Sequence, residues 1–317
     1  GPNCANTQFA VNQRSRSRVM TLSNNLVSFE DRQPIYPRGC NEFLLEDPGP
    51  LGDLTIRSLP CNAKLATTDS TDVLVTGDMS GYAGRVLEFS GPTEKLNVTV
   101  PATNVLFSTG QLTANGALDI RMPNFVGEVF IQGDQTLPSS YTLQDLAAGR
   151  DLRVLGGAGD DVVEVPKLHQ IMGSASVDLG GGLSNRVKMT LETPAGGSQA
   201  ILTSFSVQQT RGANMHALRW MNVQRRDVTL LAAANELTNT TIVQTDNDAL
   251  LQIRAQGTPT SQMLHRFTGC EGGADTRITL TGGGRQTIVL GLNARLADFQ
   301  CSLIIQGGKD PNQVDTL

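Results

Sequence analysis

The chain has 317 residues, enough for one large domain or two ordinary ones, and a net charge of −5 with His neutral. With charged residues at only 17%, that balance excludes the dense basic surface needed to neutralise phosphates, so no nucleic-acid partner is expected. Aromatic residues at 4% argue against a bulky aromatic core, and no apolar run approaches the ~20 residues of a membrane-spanning helix.

The opening pair, Gly1-Pro2, reads as the scar of a cleaved tag, with a targeting segment removed from before it. Residues 1–70 hold six of the fourteen prolines and the basic run Arg14-Ser15-Arg16-Ser17-Arg18, which reads as a solvated segment. They are expected to form an irregular cap or arm, because the end of a stack of strands otherwise exposes apolar cross-section and unpaired edges.

From residue 71 to 308 short β-branched runs recur, many closed by Gly, as in Val73-Leu74-Val75-Thr76-Gly77 and Val129-Phe130-Ile131-Gln132-Gly133. Strands are predicted to start near 73, 86, 96, 105, 118, 129, 152, 162, 177, 187, 201, 218, 228, 241, 250, 277, 288 and 302. Alternation such as Leu118-Asp119-Ile120-Arg121-Met122 gives each one buried and one polar face. Tyr141 to Gly149 reads as a short helix, and Leu230 to Leu237 as another turn or two. Residues 256–276 read as a long polar loop, and 309–317 as a flexible tail.

The fold expected is all-β: a single-stranded parallel β-helix, with a β-sandwich as the alternative. A sandwich favours two-residue Asn-Gly turns, and Asn115-Gly116 is the one clear example. Leu155-Gly156-Gly157 and Leu179-Gly180-Gly181 lie 24 positions apart, which suits a rung of three strands with about eight residues each.

Two motifs suggest chemistry. Gly156 to Glu164 (GGAGDDVVE) is similar to the calcium-binding nonapeptide of repeats-in-toxin β-rolls, with Asp160 and Asp161 as possible calcium ligands. That family repeats the motif in tandem, whereas the next related stretch here, GGGLSNRV from Gly180, has Asn185 in place of the acid. A turn rule of stacked strands is therefore the simpler reading, and no cofactor is expected unless calcium binds. Asp160, Asp161, His169, Arg186 and Lys188 also follow the order of the acid pair, His and Arg-x-Lys of pectin-degrading enzymes. His169 lacks the flanking glycines of that pattern, and capping a turn is the simpler role for the acid pair.

His169, His216 and His265 have no metal-ligand spacing, and each reads as a structural residue. Trp220 reads as packed, with a carbohydrate platform as the alternative. No serine-hydrolase, zinc-protease or phosphate-loop motif occurs. Of five cysteines, Cys40–Cys61 and Cys270–Cys301 are expected to pair, leaving Cys4. With the sequons at Asn97 and Asn239, this favours a secreted or cell-surface protein.

On rhythm across residues 71–310 the chain resembles the broad right-handed parallel β-helix group of secreted and surface proteins, which includes the pectin-lyase-like enzymes. Because that scaffold hosts many activities, the resemblance implies architecture more than chemistry. The expected function is non-enzymatic: structural or adhesive contact through a polar solenoid face, with extracellular glycan or with itself. The alternative is a lyase or hydrolase of acidic polysaccharide using the five residues above.

Overall fold

The computed structural model describes residues 72–89, 91–193, 195–244, 250–270, 275–291 and 301–307, together with Leu59 and segments 10–11, 17–23, 26–29, 42–46, 53–56, 62–66 and 313–316. It is all-β, and its strands lie in mostly parallel, solenoid-like sheets that do not close on themselves. The chain divides into two compact units, Gly1–Gly159 and Asp160–Leu317.

In the first unit the strands are β1 (Ala10–Val11), β2 (Ser17–Ser23), β3 (Leu26–Phe29), β4 (Glu42–Glu46), β5 (Asp53–Ile56), β6 (Asn62–Ala66), β7 (Asp72–Thr76) and β8 (Arg85–Phe89). There follow β9 (Lys95–Thr99), β10 (Asn104–Ser108), β11 (Gln111–Ala114), β12 (Leu118–Arg121), β13 (Glu128–Gln132), β14 (Ser140–Leu143) and β15 (Asp151–Leu155). They are dealt to two sheets. One runs β3-β2-β5-β7-β9-β13-β15, and the other β1-β4-β6-β8-β12-β11-β10-β14.

Each regular turn of the solenoid places one strand in each sheet, so the three-sided rung expected from the sequence is replaced by a two-sided one. The period itself is as expected, about two dozen residues, with Val73 in register with Leu96 and Val129 with Leu152. Inward positions stack like on like: Val73, Leu96, Val129 and Leu152 form one buried column, and Val75, Val98, Ile131 and Val154 the next. Such columns need narrow aliphatic side chains, which accounts for the scarcity of aromatics.

The second unit has β16 (Val162–Val165), β17 (Ser174–Asp178), β18 (Arg186–Glu192), β19 (Ser198–Leu202), β20 (Ser206–Arg211), β21 (Asn214–Met221) and β22 (Arg225–Leu231). It continues with β23 (Leu237–Gln244), β24 (Leu250–Gly257), β25 (Gln262–Cys270), β26 (Asp275–Gly282), β27 (Gly284–Leu290), β28 (Ser302–Gln306) and β29 (Gln313–Thr316). Its straight sheet is β16-β18-β22-β24-β26-β28, parallel throughout. Its other sheet is β17-β21-β20-β19-β23-β25-β27-β29.

Each unit carries one antiparallel three-strand meander inside an otherwise parallel sheet, β10-β11-β12 in the first and β19-β20-β21 in the second. Asn115 and Gly116 make the tight β11–β12 turn at φ 50° and 63°, as the Asn-Gly pair predicts. The other meander turns lack that signature and are not legible in the sequence.

Every predicted strand start falls within a strand, and the parallel registers rule out the β-sandwich. Three readings are corrected. Tyr141 to Gly149 is not helical: it completes β14, whose Tyr141 and Leu143 are buried, and then turns. Leu230 and Leu231 close β22, a turn follows, and Leu237 opens β23. The loop expected over 256–276 contains β25, whose Met263, His265 and Phe267 face the core. Strands β1 to β6 within residues 1–70, and β29 within 309–317, pair in these same sheets.

Candidate functional site

The stretch Gly156 to Glu164 builds a corner. Its first half belongs to the first unit. A Cβ on Gly157 would lie 2.5 Å from the carbonyl oxygen of Gln135, and one on Gly159 would lie 2.5 Å from the carbonyl carbon of Leu137. No L side chain fits either position, so the glycines permit close stacking on the 134–138 turn. That turn is held by Asp134, whose Oδ1 accepts the main-chain N–H groups of Thr136 and Leu137, both at 2.8 Å. These bonds hold the Asp134 carboxyl below its ordinary pKa.

In the second unit Asp160 is exposed, and its Oδ1 accepts the N–H groups of Leu183 and Ser184, each at 2.8 Å. Asp161 is fully buried, and its N–H donates to Asn185 Oδ1 at 2.7 Å. The Asn185 carboxamide in turn donates to the carbonyls of Leu179 at 2.9 Å and Asn222 at 3.0 Å. The Asn185 N–H donates to Gln224 Oε1 at 2.9 Å. Asp161, Asn185 and Gln224 each precede a strand of the straight sheet and form a polar ladder along the corner.

One carboxylate of the acid pair thus caps a corner while the other is buried. Calcium takes six to eight oxygen ligands, and no cluster of three His, Cys, Asp or Glu suited to a metal occurs among the described residues.

Of the proposed catalytic set, Arg186 and Lys188 line one groove, and His169 lies against Glu192 at the far end of the same strand, β18. His169 sits in a short 3-10 turn, with Nδ1 at 3.6 Å from Glu192 Oε2. Burial, reinforced by the Arg211 charge, pushes its pKa down, against the opposing pull of Glu192. Burial likewise lowers the pKa of His216, against the opposing bond from Nδ1 to the Ile171 carbonyl at 3.3 Å. Trp220 is buried and donates to the Ser204 carbonyl at 2.7 Å, so it is no exposed sugar platform.

Arg186 and Lys188 lie on the outer face of the straight sheet, in a shallow groove of about 270 Å³. Glu164, Lys188, Asp227 and Gln252 form one row across β16, β18, β22 and β24. Thr190, Thr229 and Arg254 form the next. Asp227 is the fixed anion of the groove: Arg186 Nε bonds it, and Arg225 Nε lies 3.2 Å away. Arg225 also donates to Gln252 Oε1 at 2.9 Å. The side chains of Lys188 and Arg254 make no hydrogen bond or ion pair among the described residues.

Sequence reading singled out Arg186 and Lys188 but missed Asp227 and Arg254. Their shared row and groove depend on strand register. Period-two alternation marks all of them as outward, which is the only signal the sequence offered.

Asn97 and Asn239 face outward on β9 and β23, both partly exposed. Cys301 is disulfide-bonded. Cys4, Cys40 and Cys61, and the side chain of Cys270, lie outside the described residues. No helix among the described residues is long and apolar enough to cross a membrane. Comparison with protein-family models, curated proteins and solved structures finds no match.

Proposed function

We propose that this chain is a non-enzymatic, secreted or cell-surface protein of structural or adhesive type. Its polar outer solenoid face contacts extracellular glycan or further copies of the chain. The observation that carries this reading is the engagement of Asp160: its Oδ1 is taken by two main-chain N–H groups, so the acid pair acts as corner architecture. Rows of Thr, Gln and charged side chains on β18, β22, β24 and β26 supply a repetitive polar surface suited to extended, multivalent contact. The kinship to pectin-lyase-like proteins rests on the solenoid pattern alone.

The test is electron microscopy and sedimentation of purified protein, alongside retention on immobilised neutral and acidic polysaccharides and an assay of polygalacturonate cleavage. Fibres, sheets or retention without cleavage support the reading. Cleavage that is abolished in Asp160→Asn, a variant of the exposed acid, overturns it in favour of a polysaccharide lyase or hydrolase.

A further inference from the structure

The groove on the straight sheet of the second unit has a charge pattern that the solenoid does not need. Its lining holds three cations, Arg186, Lys188 and Arg254, against two carboxylates, Glu164 and Asp227. Arg225 adds a fourth cation on Asp227. A sheet face intended only to stay soluble would pair its charges across neighbouring strands. Here the pairing is concentrated on one residue. Asp227 takes both Arg186 and Arg225, while the side chains of Lys188, in register between Glu164 and Asp227, and of Arg254 make no hydrogen bond or ion pair among the described residues. The excess is local, since the whole chain carries −5.

The register sets the spacing of the free cations. Lys188 and Gln252 lie in one row, two strands apart, and Arg254 is two residues beyond Gln252. With strands about 4.8 Å apart and about 3.3 Å of rise per residue, the Lys188 and Arg254 backbones are roughly 12 Å apart. Between them lie Asp227, whose carboxylate is already taken by Arg186 and Arg225, the hydroxyls of Thr190 and Thr229, and the side-chain amide of Gln252. No aromatic residue lines the groove, so it lacks the stacking platform by which bases of single-stranded nucleic acid are held.

Resting on the adhesive reading above, we propose that this groove binds an anionic glycan, a chain bearing repeated sulfate or carboxylate groups. Such a chain would lie across β18, β22 and β24. One acidic group sits on Lys188, another on Arg254, whose planar fork suits an oxyanion. The sugar hydroxyls between them meet Thr190, Thr229 and Gln252. Asp227 holds Arg186 and Arg225 in place as the floor.

The test measures binding of the full chain to dextran sulfate, polygalacturonate, neutral dextran and single-stranded DNA. Wild type is expected to bind one or both acidic glycans at low salt and to release them when salt is raised to about 0.5 M. Lys188→Gln with Arg254→Gln is expected to lose at least tenfold in affinity, and Lys188→Arg with Arg254→Lys to restore it. Arg219→Gln with Arg285→Gln removes two exposed arginines from the other sheet of the same unit and is expected to keep wild-type binding.

Preference for dextran sulfate or for polygalacturonate identifies which acidic group the site takes. Equal losses in both double variants, tighter binding to DNA, or no binding to either polyanion overturns the assignment. Fibre formation or neutral-dextran binding without polyanion binding would overturn the groove and leave the scaffold reading standing. Cleavage of bound polygalacturonate would overturn the scaffold reading and leave the groove.

Discussion

The main-chain N–H of Asp161 donates to the side-chain oxygen of Asn185, 24 residues on, at 2.7 Å, and both residues are fully buried. A corner must turn the chain out of one sheet, and its main-chain groups there have no strand partner. Asn185 resolves this with one side chain. Its oxygen takes the N–H of the corner before, and its amide serves two carbonyls of its own corner and of the next. Successive turns of the solenoid are thereby joined at their corners as well as through their strands.

Asn185→Ala should therefore destabilise the second unit by about 2–4 kcal/mol, since it leaves several buried polar groups unpaired. Urea unfolding followed by circular dichroism measures this. A loss under 1 kcal/mol would show that water replaces the carboxamide and that the ladder is not structural.

Gly159→Ala should lower stability by about 2–3 kcal/mol, because the new methyl group overlaps the main chain at Leu137. If the glycines serve stacking alone, chelator should leave the wild-type melting temperature unchanged. A fall of several degrees on adding chelator would instead place an ion at Gly156–Glu164.

His265 gives the second unit an acid-sensitive core. Its ring is fully buried in register between Thr240 and Ile288, and neither nitrogen has a hydrogen-bond partner among the described residues. Burial pushes its pKa down to about 4 from 6.5. Above pH 6.5 the ring is neutral in both folded and unfolded chains and the stability is fully present. As pH falls from 6.5 toward 4, the unfolded chain takes a proton that the folded chain refuses, and stability drops by up to about 3 kcal/mol. Below pH 4 this contribution is constant. Urea midpoints across that range should slope more steeply for wild type than for His265→Leu, in which His169 and His216 still contribute; equal slopes would falsify the assignment.

Cys301, disulfide-bonded, immediately precedes β28, and the pairing expected from the sequence is with Cys270, the last residue of β25. Peptide mapping without reductant should recover the Cys270–Cys301 linkage. Reduction should then cost about 3–4 kcal/mol through the loop it releases. Recovery of Cys301 joined to Cys4, Cys40 or Cys61 would reject the pairing.

The sequence by itself determined the strands, the period and the inward face. Val73, Leu96, Val129 and Leu152 announce themselves, because burial on one side of a strand forces period-two alternation and a stack repeats it every turn. Asn115-Gly116 likewise declares its turn, since few pairs tolerate two positive φ angles in succession. What a short window of sequence leaves open is how strands are dealt to sheets. Two sides and three predict the same alternation, and β25 looked like a loop because His265 and its polar neighbours hid an inward face.

The candidate site was half legible for the same reason. The acid pair drew attention as chemistry, but its corner role depends on Leu183, Ser184 and Asn185 lying one turn away. Arg186 and Lys188 were visible, while Asp227 and Arg254 join them only through register between strands distant in sequence. Spacing along a chain reports which face a side chain takes. Only the tertiary structure decides which side chains from other turns share that face.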